Sequence, residues 1–321
     1  MTAAYDVQGT WVVAPDGVEI AVRDHGGDGP ALLLLHGAGR TLVDWELVAP
    51  LLVAEGHRVV AMDLRGHGKS GGGDGPWTFA GVVADVAAVL ERLGITDAVL
   101  VGHSLGGMVA ACCLEKLDGT AGAVNLDGHG MGRPEQYVGL DRGYVVQRLG
   151  EVRAFADAAM GRPLGEGGLE GALAYNAAMA EKLGISGELL EAGLRRGIGE
   201  SADGEVYLRP ERVAGLGMQA AMAEIDLFGL YRRVRKPLLI ARALRPNPST
   251  PGMPWVDELM AAYVKGLHVE LDELARTETW VEVAGVDATH AMLLERPEEV
   301  AELVAGFVER VGERKRRPQR G

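Results

Sequence analysis

The stretch "VLVGHSLGGMVAACC", Val99 to Cys113, constrains the fold more than any other part of the chain. An apolar run suited to a buried strand leads into Gly102-His103-Ser104-Leu105-Gly106-Gly107, and a segment with helical spacing follows at once. An ordinary strand-to-helix connection wants turn formers, not a serine with glycine at the second position on each side. The pattern fits a sharp, strained turn whose serine projects above a sheet, with glycines where a Cβ would collide with neighbouring backbone. Gly107 permits still closer packing of helix on strand. The helix start directs free N–H groups and a positive dipole end at the serine. The bland alternative is a glycine-rich packing turn whose serine merely caps the helix.

The same alternation extends along the chain. "TWVVA" and "VEIAVRD" read as extended segments joined by the turn "PDG". "ALLLLHG", "RVVAMD", "DAVLVGH" and "GAVNLD" read as strands, the first apolar enough to be covered on both faces. Between them lie helical segments, "DWELVAPLLVAEG", "FAGVVADVAAVLERLG" and "SLGGMVAACCLEKL". Strands alternating with helices imply βαβ units and an α/β, mostly parallel, doubly wound sheet. The pattern breaks after Asp127. Residues 134–233 show helical spacing without clear strand candidates and read as an inserted helical cap. Residues 1–133 and 234–321 then make the core, which resumes with the strand "KPLLIARAL". One long helix or two short ones follow in "WVDELMAAYVKGLHVELDELAR", then the strand "TWVEVAG" and the helix "PEEVAELVAGFVERVG".

Composition narrows the function classes. With 321 residues, 47% of them apolar, the chain can bury one large core. A net charge of −13 argues against a nucleic-acid partner. The one basic run, Glu313 to Gly321, reads as a solvated terminus. The two cysteines, Cys112 and Cys113, are adjacent, a poor geometry for a disulfide, and read as small core residues. No zinc spacing is present, so no metal is expected. The start "MTAAYDVQGTWVV" lacks the basic then apolar pattern of a secretory signal. No run approaches ~18 uninterrupted apolar residues. The expectation is a cytoplasmic protein without a membrane partner. Gly71-Gly72-Gly73 lacks the lysine and helix start of a phosphate cradle.

Four motifs in order resemble the α/β-hydrolase superfamily: "LLLLHGAG" at Leu32–Gly39, "MDLRGHGKS" at Met62–Ser70, "GHSLGG", and "DATHAMLLERPEEV" at Asp287–Val300. The resemblance implies an α/β-hydrolase fold with an inserted helical cap, and a serine nucleophile at Ser104. A free hydroxyl is a weak nucleophile at neutral pH and needs a base. The resemblance sets that base on the loop after the last strand, where His290 is the one histidine. It gives His36 a part in organising the oxyanion loop and leaves His103 flanking the serine. The oxyanion donors it implies are the backbone N–H groups of Ala38 and Leu105. His67, Asp63 and Arg65 read as holding a turn.

The triad acid is where the sequence departs from the common pattern. Most members carry it after the strand that here begins the resumed core, but Lys236–Gly252 reads "KPLLIARALRPNPSTPG", without that aspartate. The other site used in the superfamily, by some haloalkane dehalogenases and zearalenone lactonase-like enzymes, follows the preceding strand. There "AVNLDGHG" offers Asp127, 23 residues after Ser104. Asp127 is therefore the expected acid, with Asp257 and Asp287 as alternatives and a plain Asp-Gly turn as the bland reading. Dehalogenase and epoxide hydrolase chemistry needs an aspartate where Ser104 stands.

These readings point to a cofactor-free serine hydrolase acting on an ester, lactone or thioester of a small-to-medium apolar molecule. Gly37 and His129 are candidate substrate contacts. The cap methionines Met160, Met179, Met218 and Met222, with Tyr137, Tyr144, Phe155 and Tyr175, divide between core and pocket lining. The alternative is a non-hydrolytic use of the same pocket, as a lyase, cofactor-free oxygenase, cyclase or ligand receptor.

Overall fold

Runs of leucine, valine and alanine that are apolar at successive positions need cover on both faces, and they form the centre of the sheet. In a computed structural model, which describes residues 9–201, 203–250 and 252–316, eight strands make that sheet. They are β1 (Thr10–Val13), β2 (Glu19–Gly26), β3 (Ala31–Leu35), β4 (Arg58–Met62), β5 (Ala98–His103), β6 (Thr120–Leu126), β9 (Leu238–Ala243) and β10 (Val281–Val286). Their order is β1-β2-β4-β3-β5-β6-β9-β10. The β1–β2 and β2–β4 pairs are antiparallel, and every pair from β4 to β10 is parallel.

Alternate residues of the central strands enter two separate cores. Leu33, Leu35, Val60, Met62 and Leu100 pack beneath α2 (Phe79–Arg92), α3 (Leu105–Lys116) and α9 (Pro254–Thr277). Leu32, Leu34, Val59, Ala61, Val99 and Val101 pack beneath α1 (Val48–Ala54) and α11 (Pro297–Arg316). Full burial of such a side chain stabilises by roughly 1.5–3 kcal/mol. Cys112 and Cys113 are buried on α3 with free thiols. The segment read as one or two helices after β9 is the single 24-residue α9.

Between β6 and β9 lie α4 (Arg142–Ala159), α5 (Gly168–Leu183), α6 (Gly187–Arg196), α7 (Arg212–Glu224) and α8 (Leu227–Arg233). This insertion is not wholly helical. A two-stranded antiparallel hairpin, β7 (Ile198–Glu200) with β8 (Val206–Leu208), corrects the expectation of no strands there. Each strand has three residues, too few for a period-two pattern to register. The helix expected from Asp44 also divides, into a 3₁₀ turn at Leu42–Trp45 and α1. A four-residue helix, α10 (Met292–Glu295), precedes α11. No single helix among the described residues is long and apolar enough to cross a membrane. The first eight residues, and the basic tail from Arg317, fall outside the described residues.

Candidate active site

The parallel register aligns the C-terminal ends of β5, β6, β9 and β10. His103 stands opposite Leu126, and Leu126 opposite Ala241. The residues that follow these ends face one crevice, where ligands bind in open α/β sheets.

Ser104 occupies the turn between β5 and α3 with φ 54° and ψ −119°, a conformation that side-chain-bearing residues rarely adopt. The surrounding glycines are required sterically. A Cβ on Gly102 would lie 1.9 Å from the Gly106 oxygen, and one on Gly106 would lie 2.1 Å from the Leu35 oxygen. One on Gly107 would lie 2.0 Å from Asn125 Oδ1. The Ser104 N–H donates to the Leu126 carbonyl at 2.9 Å, which fixes the turn to β6.

Asp127 follows β6 and is also at positive φ, 54°. Asn125 sets this turn. Its Oδ1 accepts from the Gly128 N–H at 2.8 Å, and its Nδ2 donates to the Gly128 carbonyl at 2.9 Å and to Tyr231 Oη at 2.7 Å. Asp127 Oδ1 accepts from the Ala243 N–H at 3.0 Å, and Oδ2 lies 2.6 Å from His290 Nδ1. Burial pushes this carboxyl up. The hydrogen bond and charge of His290, the charge of His129 and the Ala243 N–H outweigh it and hold the group well below the usual carboxylate range. The other two carboxylates do not meet His290. Asp257 Oδ1 accepts from the Thr250 N–H at 3.1 Å, and Asp287 pairs with Arg245 at 3.6 Å on the surface.

His290 is held at three points. Its Nδ1–H donates to Asp127, which leaves the Nε2 lone pair free. Its main-chain N–H donates to Asn247 Oδ1 at 3.1 Å, and its carbonyl accepts from His103 Nε2 at 2.7 Å. Burial, then the charge of His290, brings the His103 pKa down to about 4, so its ring is neutral at pH 7 with the proton on Nε2. Ser104 and His290 line the same cavity. Among the described residues no hydrogen bond yet joins the serine hydroxyl to the imidazole, and catalytic hydrogen bonds are often open in structures without substrate.

The loop after β3 runs beside the serine. A Cβ on Gly37 would stand 3.2 Å from Ser104 Cβ. His36 fixes this loop, with Nδ1 donating to the Gly37 carbonyl at 2.7 Å and Nε2 accepting from the Leu64 N–H at 2.9 Å. The Ala38 N–H lies on that loop, and the Leu105 N–H opens α3, where no intrahelical acceptor exists. Both groups can donate to charge developing above Ser104.

The cavity holds about 430 Å³. Its floor is Gly37, Ala38, Ser104 and His290, and its side wall includes Leu293 and Leu294. Its roof comes from α5 and α6, through Tyr175, Asn176, Met179, Leu183 and Leu190. Of the cap methionines, only Met179 lines it; Met218 lies in the core, with Met160 and Met222 packed against that core. Tyr137 is buried and stacks on Tyr263, and Phe155 faces solvent. His129, a candidate substrate contact, does not line the cavity. It is buried beyond Asp127 without a ring hydrogen bond among the described residues, and burial brings its pKa down to about 4.

Two features had no clear sequence signal. Arg196 of α6 reaches down to the fully buried Asp63, with Nη2 at 2.8 Å and Nε at 2.9 Å from Oδ2. Arg40 and Asp44 form an ion pair in the cavity wall. A local signal did exist for Asn125, since asparagine three residues before glycine is a common turn pattern.

A sequence profile described as "Alpha/beta hydrolase family" matches residues 32–303. A non-heme haloperoxidase of Rhodococcus erythropolis is 41% identical over 97 residues, covering 30% of this chain and 35% of that protein. The chain spans about a third of the length of the curated relatives it matches. Among solved structures, E-2-(acetamidomethylene)succinate hydrolase aligns with a TM-score of 0.65 at 22% identity, over 94% of this chain and 98% of that one. The enol-lactonase from Burkholderia xenovorans LB400 aligns with a TM-score of 0.62 at 19% identity, over 94% and 100%. At these identities the two structures bear on the fold alone.

Proposed function

The chain belongs to the alpha/beta hydrolase family, and on that premise we propose that it is a serine hydrolase cleaving an ester, lactone or thioester through an acyl-enzyme. One observation carries the reading. A strained serine and an imidazole line one cavity, and that imidazole is hydrogen-bonded to a carboxylate through Nδ1. That is the division of labour a hydroxyl nucleophile needs. The residues 134–233 act as the lid.

In the proposed reaction, rotation of the Ser104 side chain brings Oγ to His290 Nε2 as substrate binds. Oγ attacks the carbonyl carbon and its proton passes to Nε2. Asp127 stabilises the imidazolium and fixes the ring. The N–H groups of Leu105 and Ala38 receive the oxyanion; loss of one such donor typically costs about 3 kcal/mol of transition-state stabilisation. The tetrahedral species collapses as Nε2 returns the proton to the leaving alcohol or thiol. Water, deprotonated by the same nitrogen, attacks the acyl carbon; the Oγ–acyl bond breaks, Nε2 returns the proton to Ser104 Oγ, and the acid leaves. Met179, Leu183, Leu190, Leu293 and Leu294 suit an apolar substrate body.

A fluorophosphonate probe tests the reading. It should label the protein at Ser104, and Ser104→Ala should lose both label and ester hydrolysis. A folded wild-type protein that resists the probe, or a Ser104→Ala variant that hydrolyses at the wild-type rate, removes the acyl-enzyme.

A further inference from the structure

The chemistry above leaves one charged side chain of the cavity without a task. A Cβ on Gly37 would contact Ser104 Cβ at 3.2 Å and Arg40 Cγ at 3.6 Å, so the arginine and the serine flank the same glycine. Asp44, four residues on, accepts from Arg40 Nε at 2.8 Å and from Nη2. This side-on pairing fixes the plane of the guanidinium. It uses one edge of the fork and leaves Nη1 without an acceptor among the described residues. The Arg40 side chain keeps 30% of its surface accessible, against 6% for Asp44, and it lines the cavity. The pair is thus a rigid mount with a free donor edge.

Stability gives little reason for such a mount. A sequestered ion pair roughly breaks even against apolar side chains of the same volume, and much of the remaining wall is apolar. The other polar groups of the wall are largely engaged. Thr289 Oγ1 bonds Glu295, Asn247 Oδ1 receives the His290 N–H, and Asn176 Nδ2 donates to the Leu190 carbonyl at 3.4 Å. Among the described residues, Arg40 is the permanent cation of this cavity lining.

Building on the serine hydrolase reading, we propose that Arg40 is a substrate-recognition residue and that the substrate carries a carboxylate a few bonds from the scissile carbonyl. A half-ester of a dicarboxylic acid and a lactone with a pendant carboxylate both have this form. The carboxylate accepts from the Nη1 edge while the reacting carbonyl lies over Ser104. Asp44 already balances the cation, so the gain comes from directed hydrogen bonds in a partly desolvated site rather than from bulk attraction. The chain's net charge of −13 likewise gives no long-range pull on an anion. The expected discrimination is therefore about tenfold or somewhat more, the range of one or two charge-assisted hydrogen bonds.

The test compares monoethyl succinate with ethyl levulinate, which has a methyl ketone in place of the carboxylate and nearly the same shape. Wild type should show a kcat/KM about tenfold higher for the half-ester. Arg40→Gln should abolish that ratio, and Arg40→Lys, which keeps the charge but not the fork, should retain part of it. A second measurement needs neither turnover nor a variant: succinamate should protect wild-type Ser104 from fluorophosphonate about tenfold better than succinamide does. Equal protection, protection by neither, or an unchanged ratio in Arg40→Gln overturns the assignment. Failure of Ser104 to label at all would instead remove the serine hydrolase reading beneath it.

Discussion

The hydrogen bond between Asp127 and His290 has two consequences that pH separates. Its catalytic consequence is orientation: with Asp127→Asn the ring loses its tautomer control and its counter-charge. The expected result is a kcat lower by about 10²–10⁴ with KM little changed, the behaviour of an acid that acts through its imidazole. Its thermodynamic consequence follows from the depressed carboxyl. The folded pKa lies below the unfolded value of ~3.9, so the stabilisation is complete above that value and is lost as pH falls through the folded pKa. The Tm gap between wild type and Asp127→Asn should narrow from about pH 5 downward; parallel Tm–pH curves would contradict it. His103 holds His290, the base of the proposed reaction, through its main-chain carbonyl. His103→Phe removes the donor to the His290 carbonyl and should lower kcat with a smaller effect on KM. His103→Gln, which retains an N–H donor, should recover part of the loss. Equal rates in both variants would mean that packing alone matters at this position.

At the level of elements, the turn between β5 and α3 leaves no room for a side chain at its glycines. A Cβ on Gly106 would overlap a backbone carbonyl of β3, which cannot rotate away as a side chain could. Gly106→Ala should destabilise by about 3 kcal/mol or more, beyond the usual cost of one extra methyl, because strand and helix must separate. Thermal unfolding reads this directly, and a Tm within a degree or two of wild type would refute the close approach. The joint was legible because backbone strain leaves a local imprint: two glycines at fixed offsets from a serine. The central strands were legible for a related reason, since two-sided burial writes continuous apolar runs such as "ALLLL". The cap hairpin was not, because "IGE" and "VYL" are too short for any period. The carboxylate partner of His290 could be expected at Asp127 only through a gap elsewhere, since the segment after β9 offered Asn247 and no aspartate. The structure gives that asparagine a different task, on the His290 backbone.

Across the whole molecule, some contacts that join distant segments left no mark in the sequence. His103 meets the His290 carbonyl across 187 positions, and Arg196 meets Asp63 across 133. Neither separation generates a motif, because each pairing is decided only by the tertiary fold, strand beside strand for the first and lid on core for the second. The Arg196–Asp63 pair bears most on how the two parts behave together. Asp63 is fully buried and also accepts from the N–H groups of Leu42 and Lys69. Arg196 ends α6, which with α5 roofs the cavity. Just beyond it, Arg209 Nη1 donates to the Gly68 carbonyl at 2.9 Å, so the lid is tied twice to the loop after β4. Removing one partner of a buried pair leaves an uncompensated charge, typically at a cost of about 3–5 kcal/mol. In Arg196→Met part of that cost can be relieved by lifting α6 and admitting water to Asp63. Amide exchange should therefore quicken in α6 and in the β7–β8 hairpin while the strands of the main sheet stay protected. KM should rise more than kcat falls, since in the proposed reaction the roof holds substrate while the floor carries the chemistry. Adding Asp63→Asn should restore part of the lost stability, because the stranded charge disappears with it. Uniform acceleration of exchange over the whole chain would mean that the pair stabilises the core at large and that the lid does not open by itself.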